Sequence, residues 1–156
     1  MAISCKFAHY FIFMIQRKQT LYLLIAATLT GTTYFFELWS ATAKDVVFSL
    51  KPANDIVCLI AMAAATLLSF STIFYFKNRK KQINFGFISL LIDMAFIVIC
   101  LLKISSLKNN AIAAGATDAA YKLTVLLPMA ALIFIVLAIF AIKKDEKLVQ
   151  SLDRLR

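Results

Sequence analysis

Asp93 is the residue whose type and position most directly suggest chemistry. It lies near the middle of the apolar run 83–102, and a charged residue at the centre of a lipid bilayer costs about 2.5–3.5 kcal/mol on insertion scales. Thr30 and Thr66 lie at a similar distance from the inner ends of two other apolar runs. The three side chains predict either a proton or cation site or a protonated acid that fixes helix packing through threonine hydroxyls. Packing is favoured, because the sequence places no second charge inside an apolar run.

The other reactive residue types form no constellation. His9 is the single histidine, and Cys5, Cys58 and Cys100 share no motif spacing, so we predict neither a metal site nor a redox pair. Cys58 and Cys100 lie in apolar surroundings and are interpreted as structural thiols. Glu37 lies at the edge of an apolar run, where a solvated boundary residue is expected. We therefore expect no cofactor and, since a lone carboxylate offers no acid–base pair, no enzymatic activity.

The composition is too apolar for a soluble domain, so most of the chain must be shielded from water. The 156 residues are 62% hydrophobic, with a mean hydropathy of +0.85, whereas soluble chains are roughly 45–50% apolar. The sequence therefore predicts an all-α integral membrane protein, a four-transmembrane-helix bundle within a single domain, 14–142. The spans are expected at about 20–39, 55–76, 83–102 and 122–142.

The basic residues predict the orientation of these spans. Twelve of the 17 Lys and Arg residues fall on the side of the basic hinge 77–82, and five fall on the other side. Such a bias places both termini in the cytoplasm, as expected for a multi-pass protein of the bacterial inner membrane. The net charge of +9 is therefore attributed to the orientation of the spans in the lipid bilayer, and no nucleic-acid partner is predicted.

Two stripes of small residues predict close helix packing. Ala27 and Gly31 are four residues apart, and Ala61, Ala65 and Ser69 repeat the same spacing in the second span. Small residues at this spacing let two helix backbones approach each other. Association with further copies of the chain stays open.

The tail 143–156 has a different pattern from the spans. Leu148, Leu152 and Leu155 recur at i, i+4 and i+7 among charged residues that include Arg154 and Arg156, which predicts a short amphipathic helix. Such a helix lies on the membrane surface or docks on a cytoplasmic or membrane-complex partner, and the sequence favours neither.

Three stretches resemble an uncharacterised family of four-helix inner-membrane proteins from Bacteroidetes-type bacteria. They are MIQRKQTLYLLIAA (14–27), KNRKKQ (77–82) and AIKKDEKLVQSLDRLR (141–156). Because the family carries a domain-of-unknown-function label, the resemblance implies a fold and a compartment but no reaction. It also implies that the native chain starts at Met14 and that residues 1–13 are a doubtful extension.

Two functions follow as expectations. The first is a non-enzymatic accessory or scaffold subunit of a membrane complex. The second is a small proton- or cation-coupled transporter that uses Asp93.

Overall fold

The computed structural model describes residues 18–43, 46–116 and 118–153. Within them the chain forms four α-helices, three β-strands and short 3-10 turns. The helices are α1 (Lys18–Thr32), α2 (Ile56–Phe74), α3 (Arg79–Ala113) and α4 (Leu126–Asp153), and the strands are β1 (Trp39–Ala43), β2 (Val46–Leu50) and β3 (Asp118–Tyr121).

The four helices form a ring in which each helix packs against two others. α1 packs against α2 and α4, and α3 packs against the same two helices from the opposite side. Leu23 of α1 clusters with Ile73 of α2 and Ala138 of α4. This end of the bundle, where residues 75–78 join α2 to α3, is called the hinge end, and the opposite end is called the sheet end.

Three of the described helical segments are long and apolar enough to cross a membrane. They are Ile56–Phe74, Arg79–Ala113 and Leu123–Lys147, and they identify a membrane protein. α1 has 15 residues and is about 22 Å long, less than the roughly 30 Å of a bilayer core. It ends at Thr32 rather than at Trp39, the end of the predicted first span, because a turn follows at 33–35.

A small sheet corrects the all-helical expectation. The three strands pair antiparallel in the order β2-β1-β3, with Trp39 opposite both Leu50 and Tyr121. Trp39, Ala41 and Ala43 alternate with more exposed residues along β1, as expected for a strand with one buried face. The sequence predicts loops in the two segments between spans on this side of the bundle, the second with a short surface helix as an alternative, whereas the structure pairs strands from both segments into one layer.

α3 is longer than the third predicted span. Its 35 residues extend about 52 Å, so the helix continues beyond the length that a bilayer core requires. Ile104 and Ala111, in the additional turns, belong to the same buried cluster as Trp39, so this extension supports the sheet. Gly115, with a φ of +81°, ends the helix in the left-handed conformation that glycine adopts without steric cost.

α4 corrects the expectation of a separate short C-terminal helix, since it continues unbroken from Leu126 to Asp153. Pro128 is in its first turn, where the missing N–H breaks no helical hydrogen bond. At the hinge end, Nη1 of Arg79 donates to the carbonyl of Asp145 over 2.6 Å. The beginning of the predicted tail is therefore attached to the beginning of α3.

Replacing Trp39 by Ala is expected to lower the free energy of unfolding by about 3–5 kcal/mol, because it empties a large buried site. Trp39 is 1% exposed. The matched control is Val47→Ala on the neighbouring strand, where Val47 is 63% exposed and a change within about 0.5 kcal/mol is expected. Reversible unfolding in detergent measures both variants. Equal losses would mean that the sheet does not pack on α3 as described.

Candidate functional site

The inward face of α3 changes character at Asp93. From Gln82 to Ile104 its buried residues recur three or four positions apart and so lie on one face of the helix; in order they are Gln82, Gly86, Ser89, Asp93, Phe96, Cys100 and Ile104, and Ala111 follows two turns later. From the hinge end to Asp93 this face is polar or small. Beyond Asp93 it is apolar.

Asp93 is fully buried and is bound by a residue on the far side of the ring. The hydroxyl of Thr30 donates to Oδ1 of Asp93 over 3.1 Å. Thr30 lies on α1 and Asp93 on α3, so this hydrogen bond crosses the centre of the bundle. The second carboxylate oxygen, Oδ2, has no partner among the described residues.

Thr66 lies next to this pair but is not bonded to it. A Cβ placed on Gly31, the neighbour of Thr30, would lie 3.4 Å from Cγ2 of Thr66. The hydroxyl of Thr66 is buried and has no hydrogen-bond partner in the described part of the chain. The structure therefore brings the predicted trio to one level of the bundle, while it joins only Thr30 to Asp93.

The predicted small-residue stripes lie inside the bundle. Ala27 and Ala65 are buried, Gly31 faces Thr66, and Ala61 packs against the sheet-end cluster. Ser69, the last residue of the second stripe, also makes a side-chain hydrogen bond to another helix.

Ser69 and Ser89 share a buried hydrogen bond of 2.7 Å between α2 and α3. Sequence reasoning missed Ser89, although its position one turn before Asp93 on the same face was a usable signal. Gly86 was also missed: a Cβ there would lie 3.1 Å from Cγ1 of Ile139, so α3 and α4 approach closely at this point.

Further buried polar side chains lie near the hinge end. Gln19 and Gln82 are at most 2% exposed, and neither side-chain amide has a partner within the described ranges. Thr20 is buried without a partner for its hydroxyl. The sequence analysis assigned no role to these three residues, which lie at the inner ends of the predicted spans.

An ion pair marks the opposite boundary of the apolar region. Nζ of Lys103 lies 2.7 Å from Oδ2 of Asp55, and Oδ1 of Asp55 caps α2 by accepting from the amides of Val57 and Cys58. The hydrogen bond from Lys103, followed by that from the Cys58 amide, lowers the pKa of the Asp55 carboxyl. The pair joins the start of α2 to α3.

The remaining candidate residues form no further site. Cys58 and Cys100 are free thiols in the sheet-end cluster. No three His, Cys, Asp or Glu side chains in the described part of the chain could hold a metal ion together. Glu37 lines an open concavity of about 560 Å³ on the sheet, consistent with its expected boundary position.

Most of the predicted docking surface of the tail lies outside the described residues. The side chains of Leu148 and Leu152 and the whole of Arg154, Leu155 and Arg156 lie outside the described residues. The same applies to the proposed extension 1–13, including His9 and Cys5.

The fold and the buried carboxylate define a helical membrane protein with a small sheet at one end. A family model described as "Domain of unknown function (DUF4293)" matches residues 15–155, and the chain belongs to that family. No curated protein and no solved structure matches the chain.

Replacing Thr30 by Val removes the hydroxyl that binds Asp93 while keeping the side-chain shape. The expected loss in free energy of unfolding is about 0.5–2 kcal/mol, because hydrogen bonds between membrane helices are modest and a buried acceptor is left unpaired. The control is Thr28→Val, whose exposed hydroxyl binds the Ile25 carbonyl of its own helix. Unfolding of both variants in detergent measures the difference, and a Thr30→Val protein as stable as the control contradicts the bond.

The Asp55 carboxylate predicts a specific dependence of stability on pH. Because its pKa is lowered in the folded protein, the stabilisation is present above the unfolded pKa of about 3.9 and is lost as pH falls through the folded pKa. Asp55→Asn keeps a capping oxygen but should lack this part of the pH dependence. Unfolding midpoints between about pH 2 and pH 6 compare the two proteins, and parallel curves would contradict the assignment.

Proposed function

We propose that this protein is a non-enzymatic, multi-pass protein of the bacterial inner membrane that serves as an accessory or scaffold subunit of a membrane complex. In this proposal all four helices cross the membrane as one bundle, and both termini lie in the cytoplasm. The observation that carries the proposal is the unbroken course of α4 through the apolar region and on to Asp153.

The distribution of charge supports the orientation. Described basic residues gather near the hinge end, and several are exposed: Lys18, Lys80, Lys81, Lys143, Lys144 and Lys147. An excess of Lys and Arg is typical of cytoplasmic segments. With the hinge end in the cytoplasm, the sheet lies on the outer side.

The position of α1 supports counting it as a span despite its length. It closes the ring between α2 and α4, and Thr30 near its end reaches the central carboxylate of α3. A helix lying on the membrane surface would not reach that level of the bundle.

The end of α4 is suited to carrying a partner. A single helix that leaves the membrane and is attached to α3 through Arg79 and Asp145 holds its last turns in a defined direction. The sequence places Leu148, Leu152 and Leu155 on one face of that helix, and an amphipathic helix binds partners through such a face.

The test is purification of tagged full-length protein in mild detergent, followed by mass spectrometry of what accompanies it. The variant replaces Leu148, Leu152 and Leu155 by Ser; the matched control replaces Lys147 and Gln150 by Ser. A stoichiometric partner lost with the leucine variant and kept with the control is expected. If every accompanying protein is unchanged by the leucine variant, the proposed role of the tail is wrong.

A second candidate function is favoured by one observation. Asp93 is fully buried, yet one of its carboxylate oxygens has no partner among the described residues, and ionisable groups within membrane spans are typical of proton and ion pathways. This candidate is a small transporter coupled to protons or cations.

Asp93→Asn tests this candidate, because it keeps the acceptor for Thr30 but removes the ionisable group. Proton or cation flux into vesicles that contain the purified protein should be abolished in this variant and kept in Thr28→Val. Normal flux in Asp93→Asn, or no flux with the unmodified protein, removes the transporter hypothesis and leaves the scaffold proposal intact.

A further inference from the structure

The interior of the bundle has two halves of different polarity. Between the hinge end and the level of Asp93, three helices turn polar side chains inward beside the apolar cluster of Leu23, Ile73 and Ala138; the buried polar ones are Gln19, Thr20 and Thr30, then Ser69 and Thr72, then Gln82, Ser89 and Asp93. Between that level and the sheet end, the interior is formed mainly by Met62, Cys58, Phe96, Cys100 and Ile104. We name the first part the polar half and the second the apolar half.

The polar half contains the buried polar atoms that have no partner. Within the described residues these are both amide atoms of Gln19 and of Gln82, the hydroxyls of Thr20 and Thr66, and Oδ2 of Asp93. All of them lie between the hinge end and the level of Asp93. The apolar half has no such atom among the described residues; Thr33, buried in the turn after α1, donates to the Thr30 carbonyl over 2.6 Å.

These polar atoms need partners that the described residues do not supply. Burial of amide and carboxyl groups without hydrogen bonds is unfavourable, and protein interiors satisfy such groups with ordered water. Water suits this region because its groups include both donors and acceptors, whereas a cation would require converging oxygens only.

The spacing of these groups also requires water if they are to form a connected path. Along α3, Gln82 and Ser89 are separated by about 10 Å, and Ser89 and Asp93 by about 6 Å. These axial rises along the helix are longer than a direct hydrogen bond of about 3 Å, so water is the bridging element that a path between these side chains requires. Ser69, bonded to Ser89, adds a polar step from α2.

We infer that the polar half is a hydrated path that leads from the hinge end to Asp93 and stops there. Water in this path exchanges protons with Oδ2 of Asp93, while Oδ1 keeps the bond from Thr30. The carboxylate takes a proton from the adjacent water molecule, and that proton is replaced along the water chain from bulk solvent at the hinge end; release of the proton follows the same route in reverse. The apolar half separates this path from the sheet end.

Among the described residues, Asp93 is the single titratable group at its level of the bundle, because the side chains that face it from the other helices do not titrate. α1 contributes Thr30, and α2 contributes Ala65, which is fully buried one turn beyond the Ser69–Ser89 contact. α4 contributes Ala131 and Ile135, which are buried one to two turns beyond the Gly86–Ile139 contact. None of these side chains titrates.

This inference goes beyond both candidate functions. A transporter that uses Asp93 requires the hydrated path, but a scaffold can contain the path without transporting anything. The test therefore measures water access and not transport. Its result can be interpreted even if the scaffold proposal or the transporter hypothesis is wrong.

Reaction of buried thiols with a charged methanethiosulfonate tests the path, because this reagent travels through water and reacts with the thiolate. Each variant carries one cysteine in a full-length chain whose other cysteines are replaced by Ala. Ser89→Cys samples the polar half, and native Cys100 is the matched control, since it is 5% exposed on the same face of α3. Ser69→Cys samples the same path from α2 and serves if Ser89→Cys does not fold.

The expected result is that the thiol at position 89 or 69 reacts at least tenfold faster than Cys100. An added Asp93→Asn change should leave that rate within about twofold, since the path does not depend on the proton at its end. The inference is overturned if the folded Ser89→Cys and Ser69→Cys proteins react no faster than Cys100.

Discussion

The hydrogen bond between Thr30 and Asp93 connects the two helices that face each other across the ring. A carboxylate in this position has no water to solvate it from the lipid side, so its partners must lie inside the bundle. A contact across the diagonal also requires the other helices to stay close to the axis. Ala27 and Ala65 are buried with little side-chain volume, and Gly86 lies where a Cβ would crowd Ile139. The small residues of the bundle are therefore a consequence of the central polar contact.

The two ends of the bundle are completed in different ways. At the sheet end, Trp39 and Leu38 pack with Ile104 and Ala111 of the α3 extension, and the Asp55–Lys103 pair fixes α2 to α3 just below this layer. At the hinge end, Tyr75 stacks on Phe85 with ring centroids 4.3 Å apart. One end thus gains a folded cap, while the other keeps buried polar groups below a basic surface.

The sequence predicts the four helices of the described residues, although not where α1, α3 and α4 end. Uninterrupted apolar runs predict helices without tertiary information, and counting residues from the inner end of each run predicts that Thr30, Thr66 and Asp93 lie at one depth, of which the structure bonds Thr30 to Asp93. The sheet was not predicted, because its strands have only five, five and four residues, too few for a clear alternating pattern, and β3 joins β1 across almost eighty residues. Trp39 was not identified as a core residue for the same reason, since one of its two strand partners is Tyr121 of β3.

Polar residues near the hinge end were not identified as buried, for a related reason. Gln19 and Gln82 lie beside Lys18 and Lys81 in the sequence, and proximity to charged neighbours suggests solvent. Helical periodicity nevertheless turns both glutamines inward. Ser89 and Gly86 of α3 are a further example. The composition of a span gives its average polarity, whereas the helical periodicity shows which residues share a face and therefore where polar groups meet.

The number of spans is the central claim, because α1 is shorter than a bilayer core and yet completes the ring. Single cysteines at Lys18, Val47 and Lys144, all exposed positions, can be labelled with a membrane-impermeant maleimide in a cysteine-free chain. In intact cells with a permeabilised outer membrane, four spans predict labelling of Val47→Cys alone, with Lys18→Cys and Lys144→Cys labelled only after lysis. Labelling of Lys18→Cys together with Val47→Cys would show that α1 does not cross the membrane and would contradict the four-span bundle.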